Sequence, residues 1–381
     1  MIPYSRQLIS QNDIKNVTKV LKSKFITQGK KVEEFENRLS EYCNAKFAVT
    51  ANSATSALHI ACISLDLKKN DYLWTVPNTF VASSNCALYC GAKVDFVDID
   101  PSTHNISIFE LKKKLKLAKL KKKLPKIIVV VHFGGHPCDL GEIKKLSKKY
   151  KFKIIEDASH ALGASYKKER IGSCKYSDIT VFSFHPVKSI TTAEGGAALT
   201  NQKKLFEKMS MLRTHGITKD KDKFKSKKKN EPWYFEQQIL GYNYRMNEIE
   251  AALGISQLRS LDTFIKKRVK IAKIYDKYLK NLPIKTPIKQ PEINSSYHLY
   301  TIRIKNRDRK QMFNFLRKNK IGVNVHYIPV VSHPFYKKLG FDLKKYPNTL
   351  SFYNDSISIP IYPDLKSKDQ LKIIKCIKSQ F

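Results

Sequence analysis

Between Phe47 and Thr200 the chain alternates short apolar runs, rich in β-branched residues, with stretches of helical periodicity. "FAVTA" (47–51) precedes "SATSALHIACISL", and "YLWTVP" (72–77) precedes "TFVASSNCALYCG". "KVDFVDI" (93–99), "KIIVVV" (126–131) and "FKIIED" (152–157) each close a further unit. Few architectures accept this pattern, and it predicts an α/β fold with a mainly parallel sheet carrying helices on both faces. The unbroken "IIVVV" fits a strand buried on both sides. "DITVFSF" (178–184) and "GGAALT" (195–200) read as strands without a long helix between them, a departure from simple double winding.

The second half changes character. Lys219 to Lys229, "KDKDKFKSKKK", has almost no apolar content and is expected to be an exposed, solvated loop. From "RMNEIEAALGISQLRSLDTFIKKRVKIAKIYDKYL" the apolar positions recur at helical spacing through two expected helices. A strand "YHLYTIRI", a helix "DRKQMFNFLRKN", a strand "GVNVHYI" and a terminal helix follow, the alternation of a smaller α/β unit. A length of 381 residues suits two domains, at roughly 100–200 residues each. The expected division is a large domain over 1–250 and a small one over 251–381.

Lys and Arg number 71 against 33 acids, a formal net charge of +38. The sharp reading is a nucleic-acid or anionic-membrane partner. The lysines of "FELKKKLKLAKLKKKL" instead alternate with apolar residues as a solvated amphipathic helix face does, with no interleaved aromatic platform. No nucleic acid and no membrane partner is therefore expected, although a positive field would concentrate a phosphate-bearing substrate. The N-terminus has no signal-peptide pattern, and no apolar run approaches the roughly 18 residues of a membrane span. Seven scattered cysteines without a C-x-x-C pair fit reduced thiols, not a disulfide framework or a metal site. A cytoplasmic protein is the expectation.

Three features carry chemistry. "NSATSALHIA" places Ser53, Ala54 and Thr55 at the start of a helix, where free backbone N–H groups and the positive end of the dipole receive an anion; the same residues also serve as ordinary N-caps. "IIEDASHALGA" runs a buried strand into Glu156 and Asp157, with His160 three residues on. A carboxylate at the carboxyl end of a parallel strand stands where such sheets place ligands, and it would hold a cationic ring nitrogen protonated; it could equally cap the next turn. "SFHPVKSITTAEGGA" isolates Lys188 among small and hydroxyl residues, with no counter-ion beside it, and desolvation there favours the neutral, nucleophilic amine.

An anion hole, a strand-end carboxylate and an isolated lysine, in that order, describe a site for pyridoxal 5'-phosphate. Phe80 in "PNTFVAS" offers a ring to stack on the cofactor.

"NSATSALH", "TFVAS", "EDASHALGA", "SFHPVKSITTAEGGA", "GYNYRMNEIEAALGISQL" and "VHYIP", in this order, resemble the DegT/DnrJ-type sugar-nucleotide aminotransferases, members of the fold-type I pyridoxal-phosphate enzymes. The resemblance covers essentially the whole chain. It implies that Lys188 is the Schiff-base lysine and proton shuttle and that Asp157 pairs with the pyridine nitrogen. His160 would then lie near the cofactor's 3'-oxygen and Phe80 on its ring, with Ala54, Thr55 and Ser183 at the phosphate. Asn243 would reach the phosphate of a neighbouring subunit, so a homodimer with shared sites is implied. Within the family, "KSITTAEGG", "SSYHLY" and "VNVHYIP" are most similar to the 4-aminotransferases of pseudaminic-acid biosynthesis. That likeness implies L-glutamate as donor and a UDP-linked 2-acetamido-2,6-dideoxy-4-keto-hexose as acceptor. The family's common "TTGEGG" reads "TTAEGG" here, which places Ala193 where a glycine is usual.

His298, His326 and Tyr327 are candidates for the sugar pocket, equally compatible with core or surface roles. His132 and His185 carry no clear assignment, and Glu156 reads as structural. The competing readings are an aminotransferase for another dTDP- or UDP-linked 4-keto or 3-keto sugar, a sugar dehydratase of the same fold, and a nucleic-acid-binding regulator. Dehydratases of this kind have a histidine in place of the lysine, so Lys188 argues against that reading.

Overall fold

The computed structural model describes residues 1–226, 231–304 and 308–381. Seven strands form the central sheet: β1 (Phe47–Ala51), β2 (Tyr72–Thr75), β3 (Lys93–Phe96), β4 (Ile127–Val131), β5 (Lys153–Asp157), β6 (Ile179–Ser183) and β7 (Gly196–Thr200). They lie in the order β1-β7-β6-β5-β4-β2-β3. All are mutually parallel except β7, which runs antiparallel to both of its neighbours. Each of the seven apolar runs in the sequence forms one of these strands.

The antiparallel strand explains the missing helix. Parallel neighbours need a crossover, whereas β6 returns directly into β7. The connection over 184–195 is thereby free to carry Lys188 at the edge of a cavity. Burial on both faces shows as a period of two. Trp74, Ile128, Val130, Ile154 and Phe182 enter one apolar cluster, while Leu73, Ile127, Val129, Ile155 and Val181 enter another on the opposite face.

Two expectations about the second half are corrected. The two expected helices are one, Glu248–Leu279, entered through a capping box between Asn247 and Glu250. No proline interrupts it; only its burial partner changes, from the cluster on the central sheet (Ala251 to Phe264) to a C-terminal cluster (Ile271 to Leu279). Residue 250, the expected domain limit, lies in its first turn.

The stretch 322–328 is not a strand. It keeps a single bridge, Asn324 to Ser358, and the small antiparallel sheet runs Ile284–Lys285, Tyr300–Ile304, Ser356–Ile359, with Ser356–Ile359 as its third strand. Consecutive residues of a strand point to opposite faces, and His326 and Tyr327 both line one cavity. Within the expected loop over 219–229, Lys221–Lys223 form a single 3-10 turn, and residues 227–229 lie outside the described residues.

All seven cysteines are free thiols. Among the described residues no helix is long and apolar enough to cross a membrane.

Candidate active site

A cavity of about 500 Å³ opens at the carboxyl ends of the parallel strands, where open α/β sheets bind ligands. One wall is the first turn of helix Ala54–Ser64. Ser53 caps it, its Oγ accepting the Ser56 N–H at 3.1 Å. The backbone ladder begins with the Ala57 N–H donating to Ser53 O, so the N–H groups of Ala54 and Thr55 precede it. Gly196 lets this turn approach the sheet: a Cβ there would stand 2.5 Å from the Ala54 nitrogen. Ser183 pairs with Gly196 across the β6–β7 ladder and also lines the cavity.

Asp157 ends β5 and is buried. Its Oδ2 accepts from Ser83 Oγ at 2.6 Å, and its Oδ1 accepts from Ser159 Oγ at 2.6 Å and Ser159 N–H at 3.1 Å. Ser83 is itself 2.8 Å from Thr79 Oγ1, so a chain of hydroxyls orients the carboxylate from behind.

Lys188 lies across the cavity. Burial pushes its pKa down to about 8, against an opposing pull from Asp157. Among the described residues no salt bridge is formed by its Nζ. Phe80, 59% exposed, presents a free ring face and lies 6.3 Å from the Tyr327 ring.

Three histidines close the far side. His160 is buried between the Gly134 N–H, which donates to its Nδ1 at 3.3 Å, and the Tyr327 hydroxyl, 2.9 Å from its Nε2. His298, 2% exposed, lies 4.3 Å from His160 between ring centroids and has an unpartnered Nδ1. His326 contacts Ser358 Oγ through Nδ1 at 2.8 Å. Burial, and then the charge of Lys188, lower the pKa of His160 well below the usual imidazole range and that of His326 to about 3. Burial, then His160 and Lys188, do the same to His298. All three rings are neutral near pH 7.

The structure thus brings Ala54, Thr55, Phe80, Asp157, His160, Ser183, Lys188, His298, His326 and Tyr327 to one cavity. Asn243 does not line it; its backbone is bridged to Thr214. His185 lines the mouth, and its carbonyl accepts the Lys188 N–H at 2.9 Å. Glu156 points elsewhere, into a buried network with Ser177, Thr180 and His132 Nε2, the last at 2.8 Å. The Cys138 N–H donates to His132 Nδ1 at 3.0 Å, which leaves the Nε2–H to donate to Glu156.

Sequence reasoning missed Tyr4 and the serines behind Asp157. Ser159 follows Asp157 by two residues, a spacing that signals a side-chain turn. Ser83 and Tyr4 gave no local signal. Tyr4 reaches the cavity because its carbonyl accepts from Ile361 N–H and Ile2 pairs with Ile321, which holds the N-terminal segment on the small sheet.

An anion-accepting helix turn, an oriented carboxylate, an unpaired amine of low pKa and an open aromatic face together fit a phosphorylated pyridine cofactor. No group in the cavity's lining conflicts with it.

Comparison with known proteins agrees. The DegT/DnrJ/EryC1/StrS aminotransferase family model matches residues 7–378. The UDP-4-amino-4,6-dideoxy-N-acetyl-beta-L-altrosamine transaminase of Campylobacter jejuni (subsp. jejuni serotype O:2) is 42% identical over 373 residues, covering 97% of this chain and 94% of that one. A putative sugar aminotransferase of Streptococcus pneumoniae, solved in its PMP form, superposes with a TM-score of 0.91 at 30% identity, covering 100% and 98% of the two chains. The Helicobacter pylori aminotransferase involved in the biosynthesis of pseudoaminic acid gives 0.90 at 33% identity, covering 100% and 99%. The chain belongs to the DegT/DnrJ/EryC1/StrS aminotransferase family, the pyridoxal-phosphate-dependent sugar aminotransferases.

Proposed function

We propose that this enzyme transfers the amino group of L-glutamate to the C4 keto group of a UDP-linked 2-acetamido-2,6-dideoxy-4-keto-hexose, a step of pseudaminic-acid synthesis. The observation that carries this reading is the 42% identity, over nearly the whole chain, to a transaminase named for the UDP-linked 4-amino product.

Under this reading Asp157, fixed by Ser83 and Ser159, binds the cofactor's ring nitrogen. The first turn of helix Ala54–Ser64 and Ser183 take the phosphate, and Phe80 stacks on the ring. When bound, pyridoxal phosphate supplies an electron sink and carries the amino group between the two halves of the reaction. Lys188 would hold the cofactor covalently at rest and is the group that moves the protons. It takes one from the α-carbon of glutamate and later returns one to C4 of the sugar, so a single base serves both halves. Its pKa of about 8 makes both protonation states accessible near neutral pH.

His160 faces the cofactor edge, while His298, His326 and Tyr327 face the sugar. Asn243, away from its own subunit's cavity, fits a contact to the neighbouring subunit's phosphate, and the protein works as a homodimer. The division into a cofactor-holding unit over 1–250 and a smaller unit over 251–381 belongs to the same reading, as does a cytoplasmic setting for the free thiols.

Two relatives named GDP-perosamine synthase, from Escherichia coli O157:H7 and Vibrio cholerae, are 29% and 28% identical over nearly the whole chain. Another nucleotide is therefore the second reading. Incubation with glutamate and a panel of UDP-, dTDP- and GDP-linked 4-keto and 3-keto sugars separates the two. Product from UDP-linked 4-keto N-acetyl sugars alone is expected, and product only from the dTDP or GDP sugars overturns the proposal.

A further inference from the structure

The hydrogen bonds of His160 have a direction, and it ends at an unused proton in the cavity. The Gly134 N–H, at 3.3 Å from Nδ1, can only donate, so that nitrogen must be bare. A neutral imidazole with a bare Nδ1 carries its proton on Nε2. Nε2 is 2.9 Å from the Tyr327 oxygen and donates to it. Protonating the ring would set N–H against N–H, and burial with the Lys188 charge already disfavours the cation.

The loop that presents the Gly134 N–H is fixed. The Gly134 carbonyl accepts from Leu299 N–H, and a Cβ on Gly135 would stand 2.2 Å from Ser296 Oγ, which shows how closely the strands of chain pack there.

Tyr327 therefore accepts from His160, and its own O–H proton remains uncommitted. Among the described residues its hydroxyl has no second partner, and the ring lines the same cavity as Lys188. Burial, then Asp157 and Tyr4, raise its pKa, so the phenol keeps its proton through the working pH range. The three histidines are neutral, and His326 is turned to Ser358.

Resting on the amino-transfer reading above, we propose that the Tyr327 hydroxyl is the hydrogen-bond donor to the substrate's keto oxygen, aimed by the Gly134–His160–Tyr327 relay. Replacing C=O by C=N with a primary amine breaks the C–O bonds and releases water, the two amine protons leaving with the oxygen. Tyr327 polarises the carbonyl at the start and is itself unchanged at the end. His160 is then a positioning residue: it orients the hydroxyl without touching the oxygen.

Two measurements test this. In the cofactor-free wild-type protein, long-range ¹H–¹⁵N correlation should show His160 Nδ1 as the bare nitrogen and Nε2 as the protonated one; the opposite tautomer overturns the relay. In single-turnover half-reactions, Tyr327→Phe keeps the ring but should lower kcat/KM for the keto sugar by roughly 10- to 100-fold, while the glutamate half stays within about twofold. An unimpaired sugar half overturns the proposal. Equal loss in both halves also overturns it, since the hydroxyl would then be serving the cofactor. If the wild-type enzyme aminates no keto nucleotide sugar, the failure lies with the proposed function, and the His160 tautomer still decides the direction of the relay.

Discussion

Lys188 sits where burial brings its pKa to about 8. At pH 8 about half of it is neutral, against well under one per cent of an exposed lysine at about 10.4. In the cofactor-free protein Lys188 should therefore be the fastest of the lysines to undergo reductive methylation at pH 8, read by peptide mass spectrometry, and its advantage should shrink above pH 10. Labelling no faster than at the surface lysines would remove the basis for a tuned amine. Ala193 offers a second residue-scale test. Its φ of 70° lies in the left-handed region, which costs a non-glycine residue about 1–2 kcal/mol, and the family's usual glycine would relieve that. Ala193→Gly should raise unfolding stability by about 0.5–1 kcal/mol in denaturant titration, after the extra chain entropy of glycine. The isolation of Lys188 and the strand-end position of Asp157 were legible because both are local patterns. Ser83 was not, because it meets Asp157 across a separation of 74 positions in the chain. The histidine and tyrosine candidates were visible as residue types, but their common cavity depends on an irregular loop that no periodicity announces.

Helix Ala54–Ser64 and strand β7 approach closely at the site, and Gly196 sets their spacing. A Cβ there would lie 2.5–2.6 Å from backbone atoms of Ser53 and Ala54. Backbone cannot rotate away as a flexible side chain can, so Gly196→Ala should cost about 1–3 kcal/mol of stability and weaken cofactor binding, measured by thermal melts with and without pyridoxal phosphate. A variant with unchanged melting and affinity would show that this turn is looser than its geometry implies. At this scale the sequence was informative wherever an element is buried on both faces. The seven sheet strands follow directly from apolar runs. The stretch 322–328 has the same composition but spends it on the cavity, with His326 and Tyr327 on one side. The helix Glu248–Leu279 was legible as helix but not as a single one, because its buried face passes from one core to another along its length.

The whole molecule places every expected site residue but Asn243 around one cavity, and that exception bears on assembly. Under the dimer proposal, Asn243→Ala should leave sedimentation behaviour dimeric while raising the dissociation constant for pyridoxal phosphate by about 10- to 100-fold, the effect of one hydrogen bond to a charged group. Unchanged affinity, or a monomeric wild type, would contradict a shared site. The parallel sheet puts Asp157 at a strand end and His160 just beyond it, the β6–β7 connection brings Lys188 opposite, and irregular segments beside the small sheet bring His298, His326 and Tyr327 to the same cavity. Under the proposed function, this arrangement moves an amino group from glutamate to a UDP-linked keto sugar through Lys188. Its most direct test is to follow ¹⁵N from labelled glutamate into the sugar nucleotide by mass spectrometry, with the wild type and with Lys188→Arg, which keeps the charge but cannot serve as the nucleophilic amine. The prediction is a labelled 4-amino UDP-sugar from the wild type and none from the variant; labelled product formed equally fast by Lys188→Arg would contradict it.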